Sequence, residues 1–326
     1  MRVLAKGFDI LFLARPVVLI PVWGFSIFGY WCCSRSSNTF EVSILFGKEH
    51  VSAFGGMALF SLSVGAVYVF NQIADYEVDA KNEGFPLLVK SGISKRTAFW
   101  YALILCSMAI LIPLFTGNVA LSLFSVAAVA LGTVYSFKPV YLSGRPFTDF
   151  LANAAGFGFI AFGVGWYLAL EKGIFDITFM GAALPYFLLM CGGSISSTLP
   201  DISGDNACGK RTTAVTLGVT AAHGLATLFI LGAGIAAFIN RDLPALIIAA
   251  ESLAVDILYF ILKTRTIMEA SYKVTGGVAM VIAGVVYPLF IPVAAAVFIA
   301  TWLYFRLRYG ISYPSLIPVT NASDQS

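Results

Sequence analysis

Charge is scarce in this chain of 326 residues: Asp, Glu, Lys and Arg make up 11% of it, where a soluble domain carries about a quarter. That scarcity excludes an ordinary water-soluble globule. Twenty Lys and Arg against seventeen Asp and Glu leave a net charge of +3, too slight a bias for a nucleic-acid partner. Histidine is scarcer still. His50 and His223 lie far apart in sequence, which speaks against a histidine-ligated haem or zinc site. The five cysteines contain no CxxC pair, and adjacent Cys32 and Cys33 are poorly suited to a disulfide. Four of them read as small membrane-helix residues, and Cys208 sits in a polar loop without a companion ligand. The glycines of 156–165 read as close-packing positions, because a nucleotide loop needs a soluble strand before it.

Hydrocarbon is abundant instead. The chain is 59% hydrophobic, with a mean hydropathy of +0.88. The apolar residues fall in blocks of about 20, the length that crosses a bilayer as a helix. The pattern predicts an all-α, polytopic transmembrane bundle with spans near 10–31, 52–73, 97–115, 119–137, 148–170, 178–198, 213–238 and 243–262. A last apolar stretch, 274–307, is too long for one crossing and holds Pro288 and Pro292, so it is one broken span or two short ones. The count is nine or ten. The first block is too long for a signal-peptide core and reads as a retained span. The loops near 32–51 and 74–96 are too short to fold alone, which leaves one membrane-embedded domain over 1–309 and a polar tail over 310–326. No obligate protein partner is evident.

Loop charge sets the expected orientation. Fourteen Lys and Arg, from Arg2 to Lys273, fall on the side of the N-terminus and of the loops after spans 2, 4, 6 and 8. Four fall on the other side: Arg35, Lys48, Lys172 and Arg241. The richer side is expected to be cytoplasmic, and the setting a prokaryotic cell membrane.

Two acidic segments carry the chemistry. Span 2 runs into Asn71, Asp75 and Asp79, spaced four apart and hence on one helical face. Glu77 lies off that face, solvent-facing or paired with a neighbouring Lys. Span 6 runs into Asp201 and Asp205, a second i, i+4 pair. Four spans separate the two segments, so both emerge on one side of the membrane. Facing pairs of hard oxygen ligands suit Mg²⁺, which takes a few carboxylates and completes its shell with water and phosphate oxygens. Lys81 follows the first segment, and Lys210 and Arg211 follow the second. Carboxylates and cations together at the mouth of a helical bundle suit a metal-bridged diphosphate whose lipid tail lies between helices.

The two segments resemble the signature of the UbiA-type intramembrane prenyltransferases, N-x-x-x-D-x-x-x-D after the second helix and D-x-x-x-D after the sixth. PDISGDNACGKRTTAVTLG, SGIS at 91–94 and VYSFKPVYLSGRPFTDFLANAAGFG are similar to further segments of that family, and the likeness covers about 10–300. It implies a helical bundle around a central lipid-facing cavity. It also implies Mg²⁺-dependent transfer of a prenyl group from a polyprenyl diphosphate to a lipophilic acceptor, an aromatic ring or quinone precursor, inside the bilayer. By family position Asn71, Asp75, Asp79, Asp201 and Asp205 hold the metal, and Lys210, with Arg211, meets the diphosphate. Arg15 resembles an early family arginine, its competing role being positive-inside anchoring. Tyr135 matches a tyrosine near the reacting centre.

The sequence also departs from the family. The first-loop arginine is replaced by the run Asn82-Glu-Gly-Phe85-Pro86, and Pro139 stands where a lysine is expected four residues after Tyr135. Lys138 and Arg145 are the substitutes on offer. Asp149 and Asn153 form another polar i, i+4 pair at the start of span 5, a candidate for orienting the acceptor. A terpene cyclase and a lipid- or sugar-phosphate prenyltransferase stay open within the same fold. An ion-coupled transporter is the competing class, disfavoured because carriers bind near the midplane rather than at span ends.

Overall fold

The structure is a computed structural model that describes residues 2–35, 39–45, 47, 49–80, 85–170 and 177–314. Every regular element among them is helical. The chain opens with α1 (Arg2–Leu13) and α2 (Pro16–Ser34), then α3 (Glu49–Ala74), a short α4 (Tyr76–Asp79) and a short α5 (Leu87–Lys90). There follow α6 (Lys95–Phe115), α7 (Val119–Ser136), α8 (Thr148–Ala154), a π-helical turn over Ala155–Ala161 and α9 (Phe162–Ala169). The second half holds α10 (Ile177–Thr198), α11 (Ile202–Ala207), α12 (Thr213–Ile239), α13 (Leu243–Leu262), α14 (Arg265–Val286) and α15 (Phe290–Tyr309).

Among the described residues, nine helices are long and apolar enough to cross a membrane. This is the pattern of an integral, multi-pass membrane protein. α14 runs a similar length, 22 residues, but begins with Arg265, Glu269 and Lys273. Its far end meets the segment between α2 and α3, where the Leu45 amide donates to the Val286 carbonyl at 2.8 Å. α15 then returns to the face of the N-terminus, where Arg308 pairs with Asp9 of α1 at 3.0 Å. The apolar stretch expected at 274–307 is therefore two antiparallel helices. The first starts at Arg265, and Pro288 lies between them.

The first block also differs from expectation. It is two helices rather than one, because Pro16 excludes Arg15 from the α region. Arg15 takes φ 50°, ψ 62° instead, and the break sets its side chain at the base of the bundle.

Close packing comes from small residues. A Cβ added at Gly29 of α2 would overlap the Phe162 carbonyl, and one at Gly165 of α9 would overlap the Ser26 carbonyl. α2 and α9 thus touch backbone to backbone. The π turn before α9 strains the helical ladder, and Ser26 Oγ donates to the Ala161 carbonyl at 2.8 Å from across the interface. α10 packs on α12, and α3 packs on α6 and α7. Between these groups of helices the bundle stays open.

The α2–α9 contact makes a direct prediction. Gly165→Ala is expected to destabilise the protein by about 1–3 kcal/mol through overpacking, read as a lower melting temperature in detergent. An unchanged midpoint would mean that the two helices separate freely.

Candidate active site

The first acidic segment begins on a membrane helix and ends outside it. α3 stops at Ala74, yet the Asp75 amide donates to the Asn71 carbonyl at 2.9 Å and the Asp79 amide to the Asp75 carbonyl at 2.8 Å. Helical hydrogen bonding thus carries the register through the bend into α4. Asn71, Asp75 and Asp79 keep the common face that their spacing predicts. Asn71 Nδ2 donates to Asp75 Oδ2 at 3.2 Å and to Ser136 Oγ at 3.3 Å. Its N–H groups are spent inside the protein, which orients its carbonyl oxygen.

In the second segment α10 tightens into a 3₁₀ turn at Leu199–Asp201 before α11. Asp201 is exposed and Asp205 half-buried. The chain then turns back at Gly209, whose φ of 73° suits glycine, and the Lys210 amide donates to the Asp205 carbonyl at 2.9 Å. This reversal brings the Lys210 side chain between the two segments. Burial pulls its ammonium towards neutrality, but Asp75, Tyr141 and Asp205 outweigh it and hold the pKa above the ordinary lysine value. Asp79 is pushed up by burial and by Asp75, against the pull of Arg15 and Lys210.

Asn71, Asp75, Asp201, Asp205 and Lys210 all line one polar cavity of ≈ 210 Å³. It opens into an apolar cavity of ≈ 330 Å³ walled by side chains such as Val22, Phe60, Val64, Leu131 and Phe157. The two share Asn71, Tyr135, Asn153 and Ser194, so a polar mouth leads straight into a hydrocarbon chamber. Among the described residues no three Asp, Glu, His or Cys side chains converge to hold a metal by themselves. The donor set nonetheless fits Mg²⁺: oxygen ligands on two facing segments, leaving room for water and phosphate to complete the shell.

The remaining candidates divide clearly. Tyr135 stands at the junction of the cavities and accepts a hydrogen bond from Asn153 Nδ2 at 3.4 Å. Arg15 lines the apolar cavity and lies near Asp79. Asp149 is buried, 4% exposed, and both its oxygens are engaged: Oδ2 by the Thr213 amide at 2.7 Å, Oδ1 by Thr213 Oγ1 at 2.5 Å. It ties α8 to the start of α12. Lys138, Arg145 and Arg211 are exposed and line neither cavity. Arg145 Nη2 donates to the Pro139 carbonyl at 2.7 Å, and the Arg211 amide to the Gly144 carbonyl at 3.1 Å. Lys81 lies outside the described residues. Glu77 is solvent-facing and pairs with Lys95 at 2.6 Å.

Tyr141 went unseen in the sequence. It sits at φ 51°, ψ 59°, its ring lying where a Cβ on Gly144 would be, and its phenol neighbours Lys210 and Asp75. Burial pushes that phenol up. No spacing or charge announces such a residue; Gly144, three residues on, is the one signal the sequence offered.

Comparison with known proteins agrees with this geometry. Over 180 residues the chain is 29% identical to a probable homogentisate phytyltransferase 2, chloroplastic, of Oryza sativa subsp. japonica. That match takes in 51% of this chain and 45% of the relative, less than half of the relative's length. A UbiA homolog from Archaeoglobus fulgidus, solved with DMAPP and Mg²⁺, shares the fold with a TM-score of 0.64 at 21% identity, over 89% of this chain and 98% of that one. A digeranylgeranylglyceryl phosphate synthase structure superposes with a TM-score of 0.61 at 19% identity, over 86% and 99% of the two chains. The model of the UbiA prenyltransferase family matches residues 22–260, a stretch that contains both acidic segments, Lys210 and most of both cavity walls. The chain therefore belongs to the UbiA prenyltransferase family.

Proposed function

We propose that the protein transfers a prenyl group from a polyprenyl diphosphate to a lipophilic aromatic or quinone-precursor acceptor, with Mg²⁺, at the cytoplasmic side of its membrane. One observation carries this reading: Asp75, Asp201, Asp205 and Lys210 ring the polar mouth of an apolar chamber. A diphosphate fits the mouth and its hydrocarbon tail fits the chamber. The oxygens of Asn71, Asp75, Asp79, Asp201 and Asp205 would hold Mg²⁺, which would supply positive charge where negative charge grows on the leaving group.

The allylic C1–O bond breaks with its electron pair departing on the diphosphate. A π pair of the acceptor ring forms the new bond to C1, and a ring proton leaves to water. Lys210 is the protein's own cation beside the departing oxygens. Tyr135 and Asn153, at the junction of the cavities, hold the first carbons of the donor in line. The apolar walls keep water from the electron-poor carbon before the acceptor reaches it. Asp149 lines the polar cavity as well and fixes Thr213 at the start of α12. The homogentisate phytyltransferase likeness supports an aromatic acceptor over a phosphorylated one.

The test is thermal stability and turnover of the purified protein with geranylgeranyl diphosphate, with and without Mg²⁺. Asp75→Ala and Asp201→Ala are each expected to lower turnover at least ~10²-fold and to abolish Mg²⁺-dependent stabilisation, as EDTA does in the wild type. Near-normal turnover in both variants overturns the metal assignment. Lys210→Ala should raise the donor KM, and Glu77→Ala should behave as wild type. Diphosphate release without an acceptor would indicate cyclisation instead, and transfer to a glyceryl phosphate alone would replace the aromatic reading.

Asp149→Ala separates structure from chemistry. Stranding the buried donors of Thr213 is expected to cost about 1–3 kcal/mol of stability. The exposed Asp201→Ala should leave the melting temperature unchanged in the absence of ligand.

A further inference from the structure

Polar atoms buried without a partner gather at one place in the bundle, between α12, α13 and α14. They are both ring nitrogens of His223, Asp256 Oδ1, both carboxyl oxygens of Glu251 and Thr275 Oγ1, none hydrogen-bonded among the described residues. His223 and Asp256 have wholly buried side chains, with Nε2 3.4 Å from Oδ1. Thr227 Oγ1 lies 3.0 Å from Asp256 Oδ2, and Glu251 neighbours both Asp256 and Thr275. Tyr259 and Phe260 close on the imidazole edge-on, their ring centroids 4.3 and 5.0 Å from its own. Titratable groups held so deep in a membrane bundle are functional candidates, and these three serve no step of the reaction above.

The surroundings supply no counter-charge. α10, α12 and α13 carry no other Asp, Glu, Lys, Arg or His, and α10 brings Cys191 to this layer. The charges of α14, Arg265, Glu269 and Lys273, pair with one another near Tyr272. A metal ion does not fit, because no three His, Cys, Asp or Glu side chains converge among the described residues. Ala222, Ala226, Ala249 and Ser252 are buried in the same helices, which pack closely. A proton needs neither space nor a ligand shell. Glu251 and Asp256, both ionised beside a neutral His223, would place two negative charges in a low-dielectric interior, where uncompensated charge is strongly disfavoured. Two bound protons cancel them. One neutralises Glu251; Asp256 and His223 share the other, as a neutral acid and imidazole or as an ion pair.

We propose that His223, Asp256 and Glu251 form a proton-binding site in the membrane interior, which takes up two protons on folding and joins α12, α13 and α14 while it holds them. The site is independent of the acceptor and of prenyl transfer. Its place nonetheless gives it a hold on the active end. α12 kinks at Gly218, φ 75° and ψ 167°, five residues before His223, and α14 packs on the 3₁₀ turn that carries Asp201. Both helices that border the second acidic segment are thus fastened to α13 through these side chains. A folded state that binds more protons than the unfolded one loses stability as pH rises.

Infrared spectroscopy of the full chain in detergent reads the protons directly. At about pH 7, where a carboxyl in water is ionised, the wild type is expected to show a carboxylic-acid carbonyl band that exchanges slowly in D₂O. Glu251→Gln should remove that band. His223→Gln should keep its intensity or add to it, because Asp256 then holds its proton alone. The melting temperature, followed without ligand from about pH 6 to about pH 8.5, measures the linkage. The wild type is expected to lose stability across that range. Glu251→Gln/Asp256→Asn, isosteric and unable to titrate, should lose at most half as much. Carboxylates at the mouth titrate equally in both proteins and cancel in the comparison. A wild-type spectrum without the band, a band unchanged by Glu251→Gln or weakened by His223→Gln, or equal pH dependence in the double variant each overturns the proton site. Should the double variant fail to fold, the wild-type band and its slow exchange decide the matter.

Discussion

The position of the Lys210 ammonium between two carboxylate segments is the interaction on which the active end of this bundle depends. Asp75 and Asp205 come from helices four spans apart, and both act on that one cation. Without it, acidic groups drawn together at the edge of a low-dielectric bundle would repel one another and spread. Lys210 reaches its place because Gly209 allows the chain to reverse after α11 and because the Lys210 amide binds back to the Asp205 carbonyl. The second segment therefore supplies two carboxylates and a cation beside them from a single short turn. On the proposed reading, a diphosphate and Mg²⁺ would meet a mouth whose charges are already arranged, which would leave little reorganisation for the moment of ionisation.

Behind the mouth the demands reverse. On the proposed reading the chamber has to admit hydrocarbon and exclude water, and its walls come from α2, α3, α7, α8, α10 and the π turn before α9. Glycine at positions 29 and 165 draws α2 and α9 into backbone contact on one side. The π turn places Gly156, Phe157 and Ala161 on the chamber wall while the freed Ala161 carbonyl is taken up by Ser26. A local helical defect is thus satisfied by a hydroxyl from the neighbouring helix, as irregular backbone at membrane depth requires.

Legibility in the sequence follows from how local each feature is. Asn71, Asp75 and Asp79 could be placed on one face from spacing alone, because hydrogen bonds between residues four apart persist through the bend at Asp75. Parity of spans was enough to bring Asp201 and Asp205 to the same side. Arg15 was visible as a cation near a span end, but not as the hinge between α1 and α2. That role depends on Pro16 and on a backbone conformation that hydropathy does not encode. The last apolar stretch was visibly too long for one helix. Its start at Arg265 was hidden because Arg265, Glu269 and Lys273 look like loop residues until the i, i+4 pairs of Glu269 with both cations are seen. Asp149 was legible as a polar partner of Asn153 that could orient the acceptor, and it does line the polar cavity. Its engagement by Thr213 is a contact across 64 residues, which no local pattern contains.

Arg15 stands between two cavities, the apolar chamber and a smaller one of ≈ 260 Å³ beside the α1–α2 break that Phe12, Phe85 and Phe305 help to line. Its charge also acts on Asp79 of the first acidic segment. A straight helix through residue 15 would carry that side chain in the ordinary helical register of the first span. The proline that breaks the helix is therefore as much a part of the site as the carboxylates, because it decides that the bundle's early arginine borders two cavities instead of one.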